Sequence, residues 1–254
     1  MSLVDFHSHI LPHMDDGAKD ADTSLGMLSA LASQGVSTVY ATPHFYADAD
    51  TVESFLERRD RAYAELCSAM EGKSGLPEVR LGAEIMICKQ LARMDISRLV
   101  FKDIPVMLFE YPVRTYEKWF SEYTERIAAA NAATAMVAHF DRYMWTNKKT
   151  LGEFCSLRDE VYFQMNCEGF SDRKNVKLLD ELYKRGCSVV LGSDCHNLST
   201  RKPDFDLAVK TFDMRTVKLD GLGLSKTYGA ELLDALRYSQ KRVQSASRSN
   251  GLLF

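Results

Sequence analysis

Seven short β-type runs alternate with longer helical patterns along this chain, and no other feature limits its fold so strongly. The runs are Leu3–Phe6, Thr38–Ala41, Val79–Ala83, Val106–Phe109, Ala135–Ala138, Val161–Met165 and Ser188–Gly192. Between them lie helical patterns at Asp22–Gln34, Thr51–Met70, Tyr116–Asn131, Leu151–Arg158 and Lys174–Arg185. Asp22 or Thr23 can cap the first helix and Gly35 ends it, as Gly186 ends the last. Strands separated by helices lie parallel, with the helices covering the sheet. Seven units indicate an α/β barrel close to the (β/α)8 design but one unit short; an open doubly wound sheet is the alternative. No repeat, low-complexity tract or linker divides the 254 residues, so a single domain over 1–254 is expected. The polar segment Lys241 to Asn250, within a tail of about 241–254, is expected to be loose.

In such barrels the chemistry sits where strands end at the carboxyl face, and those positions carry the notable residues of this chain. The first strand runs into His7 and His9, which share a face because alternate side chains of an extended backbone do, with Asp15 and Asp16 in the following loop. An isolated pair of this kind would read as two surface histidines. Here the second strand ends at His44, the third at Glu84, the fourth at Glu110, the fifth at His139 and the seventh at Asp194 and His196. The sixth ends at Asn166, Cys167 and Glu168 without an obvious contribution. Five of the six histidines thus fall at strand ends, leaving His13 over.

Nine imidazole and carboxylate donors exceed what one ion needs, so His7, His9, Asp16, His44, Glu84, Glu110, His139, Asp194 and His196 imply two or three divalent metals. The absence of sulfur from the set suits manganese, iron, zinc or magnesium rather than copper(I). Asp5 and Asp15 can substitute as ligands or hold imidazole N–H groups from behind; between Asp15 and Asp16 the residues favour Asp16 only slightly. The four carboxylates leave a site of three divalent ions with excess positive charge. Arg142 and Arg201 lie on the same loops, where the bland alternative is a solvated arginine. A site of this charge attracts a phosphate dianion, whose oxygens planar guanidinium groups grip in pairs. A hydroxide bridging the metals is a ready nucleophile for attack on phosphorus.

A formal charge of -3 gives no sign of a nucleic-acid partner. No apolar run is long enough to span a bilayer and no signal-peptide pattern precedes the first strand, so membrane insertion is not expected. Six scattered cysteines without a C-x-x-C pair suit reduced thiols in the cytoplasm.

Taken together, DFHSHILPHMDDGAKD at the start, ATPHF around His44, GAEI at Glu84, FEY at Glu110, AHFDRY at His139 and GSDCHNLSTR at Asp194 resemble the polymerase and histidinol phosphatase (PHP) superfamily. They are most similar to its bacterial capsular and exopolysaccharide protein-tyrosine phosphatases. The resemblance runs from residue 5 to 201. It implies a distorted barrel of seven β/α units (PHP-type, TIM-like) holding three metals, often manganese, on the nine residues above, with Asp16 chosen over Asp15. It further implies that Arg142 and Arg201 bind phosphate and act in catalysis. The implied substrate is the tyrosine-phosphorylated tail of a membrane-associated bacterial tyrosine kinase that controls polysaccharide assembly. The chain departs from the family at His13, an extra loop group expected near the metals, and at Phe140-Asp141, which alters the pocket wall. After Phe205 the resemblance is poor.

Several rivals remain. Cys195 to Arg201 matches C-x5-R, the spacing of cysteine-dependent phosphatases, but the segment between lacks the glycines of a phosphate-cradling loop. Histidinol-phosphate phosphatase shares the metal site and differs only in the pocket. An amidohydrolase would need a bridging lysine that no strand end supplies, and a nuclease would need a basic stripe. A non-catalytic regulatory binding protein would be marked by missing ligands, and none of the nine is missing. The charged helix Glu53–Glu65 reads as a solvated face, and Tyr116, Trp119, Phe120 and Tyr123 as a core-facing stripe.

Overall fold

Every strand expected from the sequence forms, and all of them pair in parallel. The computed structural model describes residues 3–144, 146–157 and 161–211; Arg158 and the tail expected to be loose lie outside the described residues. In chain order the strands are β1 (Leu3–Ser8), β2 (Val36–Ala41), β3 (His44–Phe45), β4 (Glu78–Leu81), β5 (Glu84–Met86), β6 (Val106–Glu110), β7 (Thr134–Val137), β8 (Val161–Asn166) and β9 (Ser188–Gly192). The helices are α1 (Ala21–Ser33), α2 (Val52–Met70), α3 (Trp119–Ala130), α4 (Lys148–Cys155) and α5 (Arg173–Lys184).

Nine strands reduce to seven because β3 resumes β2 and β5 resumes β4. Pro43, which has no N–H to give the ladder, interrupts the first pair; Gly82 and Ala83 interrupt the second. Backbone bonds nevertheless bridge the breaks, from Gly82 N–H to Ala41 O at 2.9 Å and from Glu84 N–H to Pro43 O at 3.0 Å. The ladders therefore run β1-β2-β4 and then β3-β5-β6-β7-β8-β9. The ring closes where the end of β1 meets the segment after β9: His9 N–H donates to Cys195 O at 3.0 Å and Asp194 N–H to His7 O at 2.8 Å. The result is a distorted seven-stranded barrel, not an open doubly wound sheet.

Two apolar layers hold it together. Val4, Phe6, Tyr40, Val106, Leu108, Met136, Ala138 and Val190 fill the interior, with Phe101 and Ile104 beside them. A larger layer, including Leu28, Val39, Phe55, Phe109, Phe163 and Leu179, lies between strands and helices. The register of β1 against β2 shifts between Asp5 and Ser8. Through that irregularity Phe6 packs in the interior while its neighbour His7 still reaches Gln164 on β8.

The first helix is capped two to three residues earlier than expected. Asp20, not Asp22 or Thr23, is the N-cap, because its carboxylate accepts both the Thr23 N–H (2.8 Å) and the Thr23 hydroxyl (2.6 Å). Gly35 and Gly186 end their helices with φ of +84° and +74°. On α2 the charged residues Glu53, Glu57, Arg58, Asp60, Arg61 and Glu65 are exposed as expected, but Arg59 is buried and donates to Gly82 O at 3.1 Å. Phe120 is buried, with Tyr116, Trp119 and Tyr123 packed against the same core. Among the described residues no helix is long and apolar enough to cross a membrane.

Candidate metal centre and active site

The carboxyl ends of the strands bring all nine predicted donors to one place. His7 Nε2 lies 3.2 Å from His9 Nε2, 3.2 Å from Glu84 Oε2 and 3.5 Å from Asp194 Oδ1. His44 Nδ1 is 3.0 Å from Glu84 Oε2 and 3.7 Å from Glu110 Oε2. His139 Nε2 is 3.1 Å from Glu84 Oε1 and 3.3 Å from Glu110 Oε1. Asp16 Oδ1 lies 3.3 Å from His196 Nε2 and 3.5 Å from His44 Nε2. Three overlapping groups could each hold an ion: His9, Asp16, His44 and His196; His7, His9 and Asp194; and His44, Glu84 and Glu110.

Buried groups behind the cluster aim its imidazoles. Gln164 Oε1 accepts the His139 backbone N–H at 2.6 Å, which fixes the amide orientation. The same oxygen lies 2.9 Å from His7 Nδ1, so that nitrogen carries the proton and the Nε2 lone pair faces the cluster. Asp15 Oδ2 holds His9 Nδ1 at 2.7 Å in the same manner, and the Asp194 carbonyl holds His196 Nδ1 at 2.9 Å. Asn166 donates to Asp194 Oδ2 at 2.8 Å and receives the Gln164 amide on its own Oδ1 at 3.0 Å. Asp5 gathers the His7 and Ser193 N–H groups and the Ser193 hydroxyl. The sixth strand, whose end at Asn166, Cys167 and Glu168 shows no obvious contribution in the sequence, thus supplies Gln164 and Asn166. Their signal was available: two polar residues at i and i+2 in an otherwise apolar strand share a face.

Asp15 and Asp16 differ in what each already touches. Asp15 is committed to His9, to the Gly17 N–H at 2.9 Å and to the His44 N–H at 3.0 Å, whereas Asp16 is 64% exposed and faces His44 and His196. Gly17 permits this loop, since a Cβ there would collide with the His9 carbonyl. His139 and Asp194 both sit in the left-handed region, at φ of 31° and 51°, conformations that side-chain-bearing residues adopt mainly where surrounding structure forces them. His13 does not join the cluster; its ring is exposed and lies 3.7 Å from Glu65 on α2. Phe140 packs in the core against Phe154 and Phe163, and Asp141 accepts the Asn166 N–H at 2.9 Å, tying the wall to β8.

Many donor atoms of the cluster have no hydrogen-bond partner although they are buried. Both Glu84 oxygens, Glu110 Oε2, His44 Nδ1 and His196 Nε2 are in this state. Buried polar atoms rarely go unpaired, and each costs about 1–3 kcal/mol. Close approach without hydrogen-bond geometry is what atoms sharing a cation show, and the all nitrogen-and-oxygen donor set fits hard or borderline divalent ions.

Electrostatics agree. Burial alone would raise the Glu84 carboxyl, but His7, His139 and His44 hold it well below the usual carboxylate range. Burial likewise opposes charge on His9 and His139, yet Asp15 raises the first well above its ordinary value, and Glu110 with Glu84 raises the second to about 10. The carboxylates thus favour protons on His9 and His139, whereas burial and the neighbouring His9 press the His196 ring down to about 4. Arg142 Nη1 and Arg201 Nη2 reach opposite oxygens of Asp194, each at 2.8 Å, so both predicted arginines stand at the cluster. Cys195 is fully buried, and burial pushes its thiol well above the ordinary range, the opposite of what a nucleophilic thiolate needs.

Fold and site together define a class: a parallel β/α barrel with a candidate polynuclear cation site at the carboxyl ends of its strands. Residues 3–219 match the family described as capsular polysaccharide synthesis, CpsB/CapC, and the chain belongs to that family. The match continues past Phe205, where the sequence motifs lapse. Tyrosine-protein phosphatase CpsB of Streptococcus pneumoniae is 26% identical over 245 residues, covering 85% of this chain and 93% of that protein. The fold matches a structure from the work on YwqE of Bacillus subtilis and CpsB of S. pneumoniae, described as unique metal-dependent tyrosine phosphatases. Its TM-score is 0.69 at 22% identity over 92% of this chain and 91% of that one. A histidinol phosphate phosphatase from Lactococcus lactis, solved with zinc, L-histidinol and phosphate, shares the fold at a TM-score of 0.53 and 16% identity, covering 85% and 92%.

Proposed function

We propose that this protein is a metal-dependent phosphoric monoester hydrolase that removes phosphate from protein tyrosine residues. In this reading His7, His9, Asp16, His44, Glu84, Glu110, His139, Asp194 and His196 bind two to three divalent ions, manganese foremost. The substrate is the phosphotyrosine tail of a membrane-associated bacterial kinase in capsule or exopolysaccharide biosynthesis, met in the cytoplasm. The observation that carries the reading is the convergence of the nine residues at the carboxyl ends of the strands, where buried oxygens of Glu84 and Glu110 and ring nitrogens of His44 and His196 have no hydrogen-bond partner.

Divalent ions bound there supply Lewis acidity toward phosphoryl oxygens and an activated water. The chain does the rest. Gln164, Asp15 and the Asp194 carbonyl keep three imidazoles in the tautomer that presents a lone pair. Arg142 and Arg201 bracket Asp194 from its two sides, and each guanidinium has further N–H groups with which to grip phosphate and to follow the charge that builds on it.

The test is initial rates on a phosphotyrosine peptide, a phosphoserine peptide and histidinol phosphate, with manganese or with EDTA, and elemental analysis of protein purified without chelator. Phosphotyrosine hydrolysis that EDTA abolishes, with two or three ions per chain, is expected. One ion or none, or a preference for histidinol phosphate, would overturn the reading.

A further inference from the structure

Among the described residues three large apolar or aromatic side chains stand exposed: Tyr46 at 39%, Met144 at 69% and Leu198 at 51%. Single exposed side chains scattered over a surface need no explanation. These are not scattered. Each follows a cluster residue by two positions on a different rim loop: Tyr46 after His44, Met144 after Arg142, and Leu198 after His196.

Tyr46 is the innermost. Its ring lies against His44, with centroids 5.3 Å apart and planes inclined by 27°. The other two are anchored at their backbones. Met144 N–H donates to Val113 O at 3.0 Å, on the loop that follows Glu110. Leu198 rides a turn in which Asn197 Oδ1 accepts the N–H groups of Ser199, Thr200 and Arg201 at 2.9–3.1 Å. Its side chain lies over α1, where a Cβ added to Gly26 would meet Leu198 Cδ1 at 2.6 Å.

We infer that Tyr46, with Met144 and Leu198 as outer contacts, forms an apolar collar that selects aryl phosphates carried on a peptide. The inference rests on the phosphatase reading of the cluster. A phosphate held by Arg142 and Arg201 places its leaving group one ester bond outward, at the level of the rim. A tyrosyl ring at that level has a broad apolar face to offer to Tyr46, and aromatic rings gain from stacked or edge-on contact beyond the area they bury. A seryl phosphate is too short to present such a face. Peptide residues flanking the ring then pass over Met144 and Leu198; the unbranched thioether of methionine adapts to varied neighbours.

The experiment compares Tyr46→Ala, Tyr46→Phe, Met144→Ser and Leu198→Ser in the full chain loaded with manganese. The readouts are kcat/KM on matched phosphotyrosine and phosphoserine peptides and the inhibition constant of inorganic phosphate. Tyr46→Ala is expected to lower the phosphotyrosine-to-phosphoserine ratio roughly ten-fold, mainly through KM, and Tyr46→Phe to restore most of it. The two outer variants lower the ratio by roughly two- to three-fold each. Phosphate inhibition stays within a factor of two throughout. An unchanged ratio, or equal losses on both peptides together with weakened phosphate inhibition, overturns the collar while leaving the phosphatase reading intact. A parent protein inactive on every ester removes that reading, and the collar with it.

Discussion

Replacing Gln164 with leucine isolates the support behind the cluster from the cluster itself. Gln164 is fully buried, lies outside the set of nine donors, and hydrogen-bonds to the His7 ring and the His139 backbone N–H. Leucine occupies a similar volume but leaves three polar groups without their partner: the His139 N–H, the His7 Nδ1–H and Asn166 Oδ1. At the low end of about 1 kcal/mol for each stranded buried group, the folded state loses roughly 3 kcal/mol. For a chain of this size that corresponds to a fall in Tm of about 6–12 °C. Free of its hydrogen bond, the His7 ring can turn, and loss of such outer partners weakens metal binding by roughly 10- to 100-fold.

The melt belongs in excess chelator, because bound ions stabilise the folded state and would mask the intrinsic loss. Ion affinity is then read separately by titration against a competing chelator. Gln164→Glu is the companion variant: it keeps an acceptor for both N–H groups but can no longer donate to Asn166, so it falls between parent and leucine on both readouts. A leucine variant that melts within about 2 °C of the parent and binds ions equally well would refute the reasoning.

Arg142→Ala and Arg201→Ala each lower kcat/KM on phosphotyrosine peptides by roughly 10- to 100-fold, with effects in both KM and kcat, because a charged donor to phosphate contributes about 1.5–3 kcal/mol and more as charge develops; unchanged steady-state kinetics in both would remove them from the site. Asp16→Asn, at a position 64% exposed, leaves Tm nearly unchanged and reduces the ion count per chain, whereas Asp15→Asn, stripped of its charge on His9, lowers Tm and keeps the count. Elemental analysis paired with calorimetry checks this, and the reverse pattern would exchange the roles of the two residues.

Why the rim was legible in the sequence while its backing was not follows from the kinds of residue involved. A strand that stops at His44 or Glu84 advertises itself, since neither imidazole nor carboxylate belongs at the end of an apolar run unless something uses it. The barrel was legible for a related reason: alternation of strand and helix patterns is a long-range signal, insensitive to where Pro43 or Gly82 breaks a ladder. Gln164 and Asn166 gave a quieter signal. Neutral amides carry no charge to count, and their meaning depends on which backbone N–H and which ring nitrogen lie opposite, a matter of register between β1, β7 and β8. The cap of α1 failed for a similar reason. Asp20, Asp22 and Thr23 are all competent, and the winner is set by the backbone turn that lets one carboxylate collect two donors from Thr23. Asp15 and Asp16 show the same dependence most sharply, being adjacent and chemically identical. One is consumed by His9, Gly17 and His44 and the other is left facing His44 and His196. Chemistry that can be counted along the chain is visible without coordinates; chemistry that turns on which of two equivalent groups is already occupied is not.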